Sequence, residues 1–227
     1  MGWNKNPIYT VPRARRRPEL LGLWDGPAWR DVPCLAIACF RPEGSAHRPV
    51  TRVKLVYDRD GIYGLFRVDD NYVRCLRTRF QDAVYRDSCV EFFVQPKPDS
   101  GYFNFEFNCG GALLASYITD PTRVPGGFKN FACLTDKDAR LIGIHHSLPA
   151  VVEPEVARAT TWHIEFFIPF PLLEAYVGPI TITKSDPWRA NFFKCADDSS
   201  HPHWGAWSPV DEVNFHLPRC FGRLVFE

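Results

Sequence analysis

The stretch Tyr102–Asn108 reads YFNFEFN, with Phe103, Phe105 and Phe107 alternating with Asn104, Glu106 and Asn108. Successive side chains of a β-strand point to opposite faces, so one face here is all phenyl and the other is amide, carboxylate, amide. The phenyl face has a destination in a hydrophobic core. The polar face differs from the mixed Lys, Thr, Glu and Arg of an ordinary solvent-facing strand. Asparagine is a poor strand former and glutamate a mediocre one. Something besides propensity favours them here, either contact with a ligand or a buried polar network.

Outward from this strand, apolar, β-branched and aromatic runs recur at 34–40, 52–57, 62–68, 88–94 and 113–118, and again at 140–145, 160–168, 180–183, 189–195 and 223–226. Turn signals such as Asp58-Arg59-Asp60-Gly61 and Pro125-Gly126-Gly127 separate them. The Asp60-Gly61 pair between Tyr57 and Tyr63 predicts a hairpin. One short helix is expected over Pro169–Tyr176, with proline in its first turn and Gly178 past its end. Many short strands and twenty prolines predict an all-β fold, an antiparallel β-sandwich of jelly-roll type. Residues 31–227 form the sandwich in this reading, and 1–30 an N-terminal extension packing on it. No internal repeat or linker is visible.

The 227 residues fit one large domain, and a composition 45% hydrophobic and 15% aromatic is ample for its core. A formal net charge of +1 gives no overall field toward nucleic acid or an anionic membrane. The one basic cluster, Arg13-Ala14-Arg15-Arg16-Arg17, reads as a solvated extension before it reads as a nucleic-acid arm. No run approaches the roughly 18 apolar residues of a membrane span. Leu20–Trp24 is too short for a signal peptide and lies behind arginines, so the chain is expected to be cytoplasmic as written, or secreted if a signal has been removed. The eight cysteines contain no CxxC pair, and Cys89, Cys109 and Cys195 sit in apolar strand patterns. They read as free thiols, with no spacing that marks a disulfide framework or a Cys/His zinc site.

In order, HRPVTRVKLVYDRDGIYGLFRVDDNYVR (47–74), VYRDSCVEFFVQP (84–96), YFNFEFNCGGALLASY (102–117), TWHIEFFIPFPLL (161–173), WRANFFKCAD (188–197), WSPV (207–210) and FHLPRCFGRLVF (215–226) resemble a family 9 carbohydrate-binding module or a family 9-like protein over nearly the whole chain. The resemblance implies a β-sandwich that binds the end of a sugar chain between two aromatic rings without cleaving it, while polar side chains read its hydroxyls. Such modules are usually appended to secreted xylanases and related polysaccharide-degrading enzymes, so action beside glycoside hydrolases is implied too. In the family an aromatic, usually Trp, precedes a Glu by six positions with an acid at the midpoint. Tyr85 and Glu91 keep the outer spacing; the midpoint is Ser88, and the acid is Asp87. The second ring, placed eight residues after Trp207, falls on Phe215. The family's polar contacts, from the strand after the Glu strand and from a late strand, correspond to Asn104, Glu106 and Asn108 and to Lys194.

The chemistry of such a site stands without the family. A pyranose has apolar C–H faces, which flat rings cover at about 0.5–1.5 kcal/mol per contact. Its rim of hydroxyls bonds charged groups at about 1.5–3 kcal/mol net. Less the cost of immobilising the sugar, this gives a Kd on the order of micromolar to millimolar. Plainer readings exist: Glu91 as the exposed half of an alternating strand, Phe215 as core, Lys194 as a solvated strand residue. Other functions stay open. Glu91 and Glu106 could form a glycosidase pair, which needs carboxylates about 5–10 Å apart. A haem-bearing sandwich would draw on seven histidines, since Met1 is the only methionine. His201-Pro202-His203 beside Asp197 and Asp198 could hold a metal, though a polar loop is the plainer reading. Structural calcium at Asp69, Asp70, Asp197 or Asp198 is a further option without EF-hand spacing.

Overall fold

A computed structural model of the chain describes residues 6–227, and Met1 lies outside them. In chain order the first strands are β1 (Ile8–Val11), β2 (Leu35–Ile37), β3 (Cys39–Phe40), β4 (Val50–Tyr57), β5 (Gly61–Asp70), β6 (Val73–Cys75) and β7 (Cys89–Gln95). The quoted strand is β8 (Tyr102–Asn108), and β9 (Leu113–Val124) and β10 (Gly127–Cys133) form a long hairpin after it. Helix α1 (Asp136–Ala139), β11 (Gly143–His146), β12 (Val152–Val156) and β13 (Thr160–Pro169) follow. Helix α2 (Phe170–Val177), β14 (Trp188–Cys195), β15 (Trp204–Ala206) and β16 (Gly222–Phe226) complete the chain.

Among the described residues nine strands form one sheet, ordered β1-β16-β14-β7-β8-β9-β10, with β15 on β14 and β3 on β15. Five form the facing sheet, β11-β13-β5-β4-β2, and β12 pairs with β6 as a separate ribbon. Pairing is antiparallel except at the edge, where β1 runs parallel to β16. The two sheets make a β-sandwich filled largely by phenylalanine. From the large sheet come Phe92, Phe103, Phe105, Phe107 and Phe192; from the small sheet come Phe66, Trp162 and Phe166, all fully buried. Their rings interlock, with Phe92 5.0 Å from Phe192 and 5.6 Å from Phe166, and Phe107 5.3 Å from Phe166. The phenyl face of β8 is therefore core.

The Asp58–Gly61 hairpin forms as the sequence suggests, with Tyr57 opposite Ile62. Asp58 Oδ1 accepts from the amides of Asp60 and Gly61, an Asx turn that offsets the weak strand preference of this segment. Gly61 is required by close approach: a Cβ there would lie 2.3 Å from the Ile168 carbonyl oxygen and 2.9 Å from Pro169 Cα. We expect Gly61→Ala to cost about 1–3 kcal/mol through strain, seen as a lower urea midpoint at unchanged m-value.

Two expectations differ from the structure. Residues 180–183 are not a strand. The Ile180 amide goes to the Glu174 carboxylate, and Ile180 and Ile182 pack on the core from a coil. A second helix, α1, is present, closed by a capping box in which Thr135 and Asp138 exchange hydrogen bonds. Within residues 6–30, Tyr9 and Val11 enter the core, and Trp29 is buried with Val56, Tyr63 and Leu65. The basic cluster is largely ion-paired, Arg15 with Asp31, Arg16 with Glu19 and Arg17 with Asp60. No helix of the described residues is long and apolar enough to cross a membrane. All eight cysteines are free thiols; Cys75, Cys89, Cys109 and Cys195 are buried, whereas Cys34 and Cys133 are exposed.

Candidate functional site

With Phe92, Phe105 and Phe192 pointing inward, strand alternation turns Glu91, Asn104, Glu106, Phe193 and Cys195 to the outer face of the large sheet. Register gathers them. Glu91 lies opposite Glu106 on one side and Phe193 on the other, and Asn104 lies opposite Ser116 of β9. A groove of about 750 Å³ opens over this face, within the usual range for small-ligand sites. Its floor carries Glu91, Asn104, Glu106, Ser116 and Cys195. Its walls include Tyr85, from a 3-10 turn at Val84–Arg86, and Trp204 of β15. Phe215 and His216 enter from the 211–217 loop, and Arg123 and Phe128 from the β9–β10 hairpin.

Five of the seven sequence candidates thus share one groove: Tyr85, Glu91, Asn104, Glu106 and Phe215. Phe215 stacks on Phe193 at 4.0 Å with planes 12° apart, which holds its ring in place. Lys194 and Asn108 lie outside it, and both expectations need correcting. Lys194 falls between outward-facing Phe193 and Cys195, so alternation turns it into the sandwich. There its Nζ bonds the Cys195 carbonyl at 2.9 Å and His203 Nε2 at 2.8 Å, and lies 3.5 Å from Asp70 Oδ2. Asn108 stands on the correct face but past the groove's end. Its side chain donates to the Arg77 carbonyl and to Asp87 and accepts from the Ala112 amide, fastening the β8–β9 turn. Asp87, the acid one residue before the family's midpoint, is spent on Arg77 and Asn108.

The floor is electrostatically unusual. Glu91 is 2% and Glu106 4% exposed. Burial raises the Glu91 carboxyl well above the usual carboxylate range, and nearby Cys195 and Glu106 add to that. Burial also pushes Glu106 up to about 7, against the pull of Asn104 and Arg123. Asn104 Nδ2 donates to Glu106 Oε1 at 2.7 Å, Asn104 Oδ1 accepts from the Ser116 amide, and Glu106 Oε2 has no partner. Beside them Asp197 accepts from the Trp204 indole at 2.8 Å, and burial raises its carboxyl. His216, buried and hydrogen-bonded to the Tyr102 hydroxyl at 2.9 Å, is depressed to about 3, so it is neutral at pH 7.

A pH dependence follows. Folded Glu106 keeps its proton to about pH 7, whereas the unfolded side chain loses it near 4.5. Between those values the native state binds more protons, so this group's contribution to stability is full below pH 4.5 and declines as pH rises through 7. Glu106→Gln keeps an oxygen for Asn104 and removes the decline. We expect the variant to gain stability over the parent from pH 5 to pH 8, by up to about 3 kcal/mol, read by urea denaturation in EDTA at each pH.

Trp204, Asp197, Arg123 and His216 were not among the sugar-binding candidates of the sequence, and Asp197 was read there only as a possible metal ligand. Trp204 reaches the groove only because β15 pairs with β14, which sets it opposite Cys195. The alternative sites fare differently. His203 is engaged by Lys194 and the His201 carbonyl, and His201 stacks on Tyr72 at 3.6 Å. Asp69 binds Arg67 and Thr161, Asp70 binds His47, and Asp198 binds Arg77. The four aspartates considered for calcium are therefore held by different partners.

A sandwich with a polar-floored, aromatic-walled groove is the architecture of a carbohydrate-binding module. Residues 29–226 match the model of carbohydrate-binding family 9, and the chain belongs to that family. Among solved structures it is similar to a Bacteroides uniformis protein described as carbohydrate-binding, at 24% identity and a TM-score of 0.81, covering 98% of this chain and 100% of that one. It is also similar to a family 9 module from Caldicellulosiruptor kristjanssonii in complex with cellotriose, at 13% identity and a TM-score of 0.66, covering 97% and 94%. A structure of a family 9 module from the same organism with glucose gives 14% identity, a TM-score of 0.61 and 96% of each chain. No curated protein matches the chain.

Proposed function

We propose that this protein binds the end of a carbohydrate chain in the groove without cleaving it. The observation that carries the proposal is the convergence of Glu91, Asn104 and Glu106 on a floor walled by Tyr85, Trp204 and Phe215. In this reading the rings cover the C–H faces of a pyranose, and the carboxyls and amide exchange hydrogen bonds with its hydroxyls. Arg123 offers a further donor from the hairpin. A groove that also takes a charged Arg and a neutral His near its carboxyls suits a hydroxyl-rich, uncharged ligand. Glucose-based chain ends are the first candidates, because related folds hold glucose and cellotriose; xylan ends are the second. The protein would act beside glycoside hydrolases and not itself as one. Membership of a carbohydrate-binding family supports that reading over hydrolysis by Glu91 and Glu106.

Isothermal titration with glucose, cellotriose, xylotriose and their reduced counterparts tests this. Binding of at least one sugar with micromolar to millimolar Kd, and no release of reducing sugar from polysaccharide, is expected. Glu91→Ala and Tyr85→Ala should each weaken binding about 3–10-fold, from the energies of a neutral hydrogen bond and a ring contact. Absence of heat with every sugar, or parental affinity in both variants, contradicts the proposal.

A further inference from the structure

The antiparallel pairing of β7 with β14 sets Cys89 directly opposite Cys195, on the face that carries Glu91. These residues are 106 positions apart in sequence, which is why no ligand spacing marks them. A sulfur of each cysteine and a carboxylate oxygen of Glu91 all lie within 4.8 Å of one another, and all three residues are buried. Cys195 Sγ is 3.2 Å from Glu91 Oε1. A tetrahedral zinc ion, with bonds of about 2.3 Å to sulfur and 2.0 Å to oxygen, sets such an S···O pair at about 3.5 Å and an S···S pair at about 3.8 Å. The Cys195–Glu91 pair therefore has nearly the span that one ion requires, and the Cys89 sulfur lies within 4.8 Å of both. A second observation points the same way. Glu106, across the strand pair from Glu91, is 4% exposed, and its Oε2 has no hydrogen-bond partner. A buried acceptor without a donor is costly unless something occupies it.

We propose that Cys89, Cys195 and Glu91 bind a zinc-class divalent ion at the floor of the groove, with the fourth coordination position open toward Glu106 and the groove. Two thiolates and one carboxylate select a borderline-soft ion such as Zn2+ over Ca2+ or Mg2+, which prefer all-oxygen sites. Each ligating thiol gives up its proton to solvent, so the bound site carries two thiolates, one carboxylate and the dication. Three protein ligands with one open position is the arrangement of an exchangeable site, not a closed structural one. Glu91 is also proposed to read the sugar, so the metal is tested without sugar, and failure here leaves the sugar proposal standing.

The experiment uses the full chain, reduced and metal-free, with the exposed or half-exposed Cys34, Cys39, Cys133 and Cys220 replaced by serine to remove adventitious thiols. Titration with Co2+ should give one equivalent of tetrahedral d–d absorption with sulfur-to-cobalt charge transfer, displaced by Zn2+. Cys89→Ser/Cys195→Ser should abolish the charge-transfer band while circular dichroism keeps the parental β signal. X-ray absorption of the parent loaded with one Zn2+ gives an answer that does not depend on how any Cys89 or Cys195 variant folds. Two sulfurs at about 2.3 Å with oxygen in the remaining positions is the expected shell. A shell of nitrogen and oxygen alone, more than two sulfurs, or a charge-transfer band that persists in the double variant overturns the proposal.

Discussion

Phe92→Ala is expected to lower the free energy of unfolding by about 3–5 kcal/mol. Phe92 has no exposed surface and lies where the two sheets meet, with Phe105, Phe166 and Phe192 around it. Those neighbours come from three different strands, two on the large sheet and one on the small, so no single backbone shift can close the space left behind. Domains are stable by only about 5–15 kcal/mol, so the loss is a large share of the total. Urea denaturation measures it as a fall in midpoint with little change in m-value. A cost below 1 kcal/mol would mean that the core closes over the gap and does not depend on these rings interlocking.

Asp70→Ala is expected to be as damaging, for an electrostatic reason. Lys194 is fully buried, and its ammonium faces Asp70, His203 and the Trp162 ring 5.8 Å away. Burial by itself would raise the Asp70 carboxyl, but the Lys194 charge and the His47 hydrogen bond outweigh it and hold Asp70 below its ordinary range. Removing Asp70 leaves a buried cation without its counter-ion, which costs about 3–5 kcal/mol. Replacing both partners, as Asp70→Ala/Lys194→Met, removes the charge with its counter-ion and should recover most of that loss. Neither variant should alter sugar affinity, because the pair lies between the sheets and not in the groove. The measurement is a double-mutant cycle in urea, with sugar titration of each folded variant. A sugar affinity that falls with Lys194→Met would return Lys194 to the binding site.

Much of this fold is legible in the chain because local signals and tertiary needs agree. Phe103, Phe105 and Phe107 alternate without interruption, so the face of β8 that enters the core is unambiguous. Pro169, Pro171 and Gly178 bracket α2 closely. Lys194 was harder to place because β14 is buried on both faces. Phe192 and Phe193 are adjacent and both fully buried, so apolar pattern alone does not say which parity faces the groove. Asn108 has the right parity, yet the groove ends before it; where a groove ends is set by loops and not by strand alternation. Trp204, Arg123 and Asp197 join the site through the β14–β15 pairing and the β9–β10 hairpin, contacts that no local pattern encodes. For the same reason Cys89 and Cys195 read separately as buried thiols, and only strand register makes them a pair.

The most direct test of the central claim is a heteronuclear NMR titration with cellotriose. The account predicts saturable shifts that cluster at Tyr85, Glu91, Asn104, Trp204 and Phe215. Lys194, Asn108 and the smaller pocket beside Trp29 and Glu165 should be unaffected. Shifts that centre on the Trp29 pocket or on the Lys194 network, or their absence for cellotriose and for every other sugar of the panel, would contradict it.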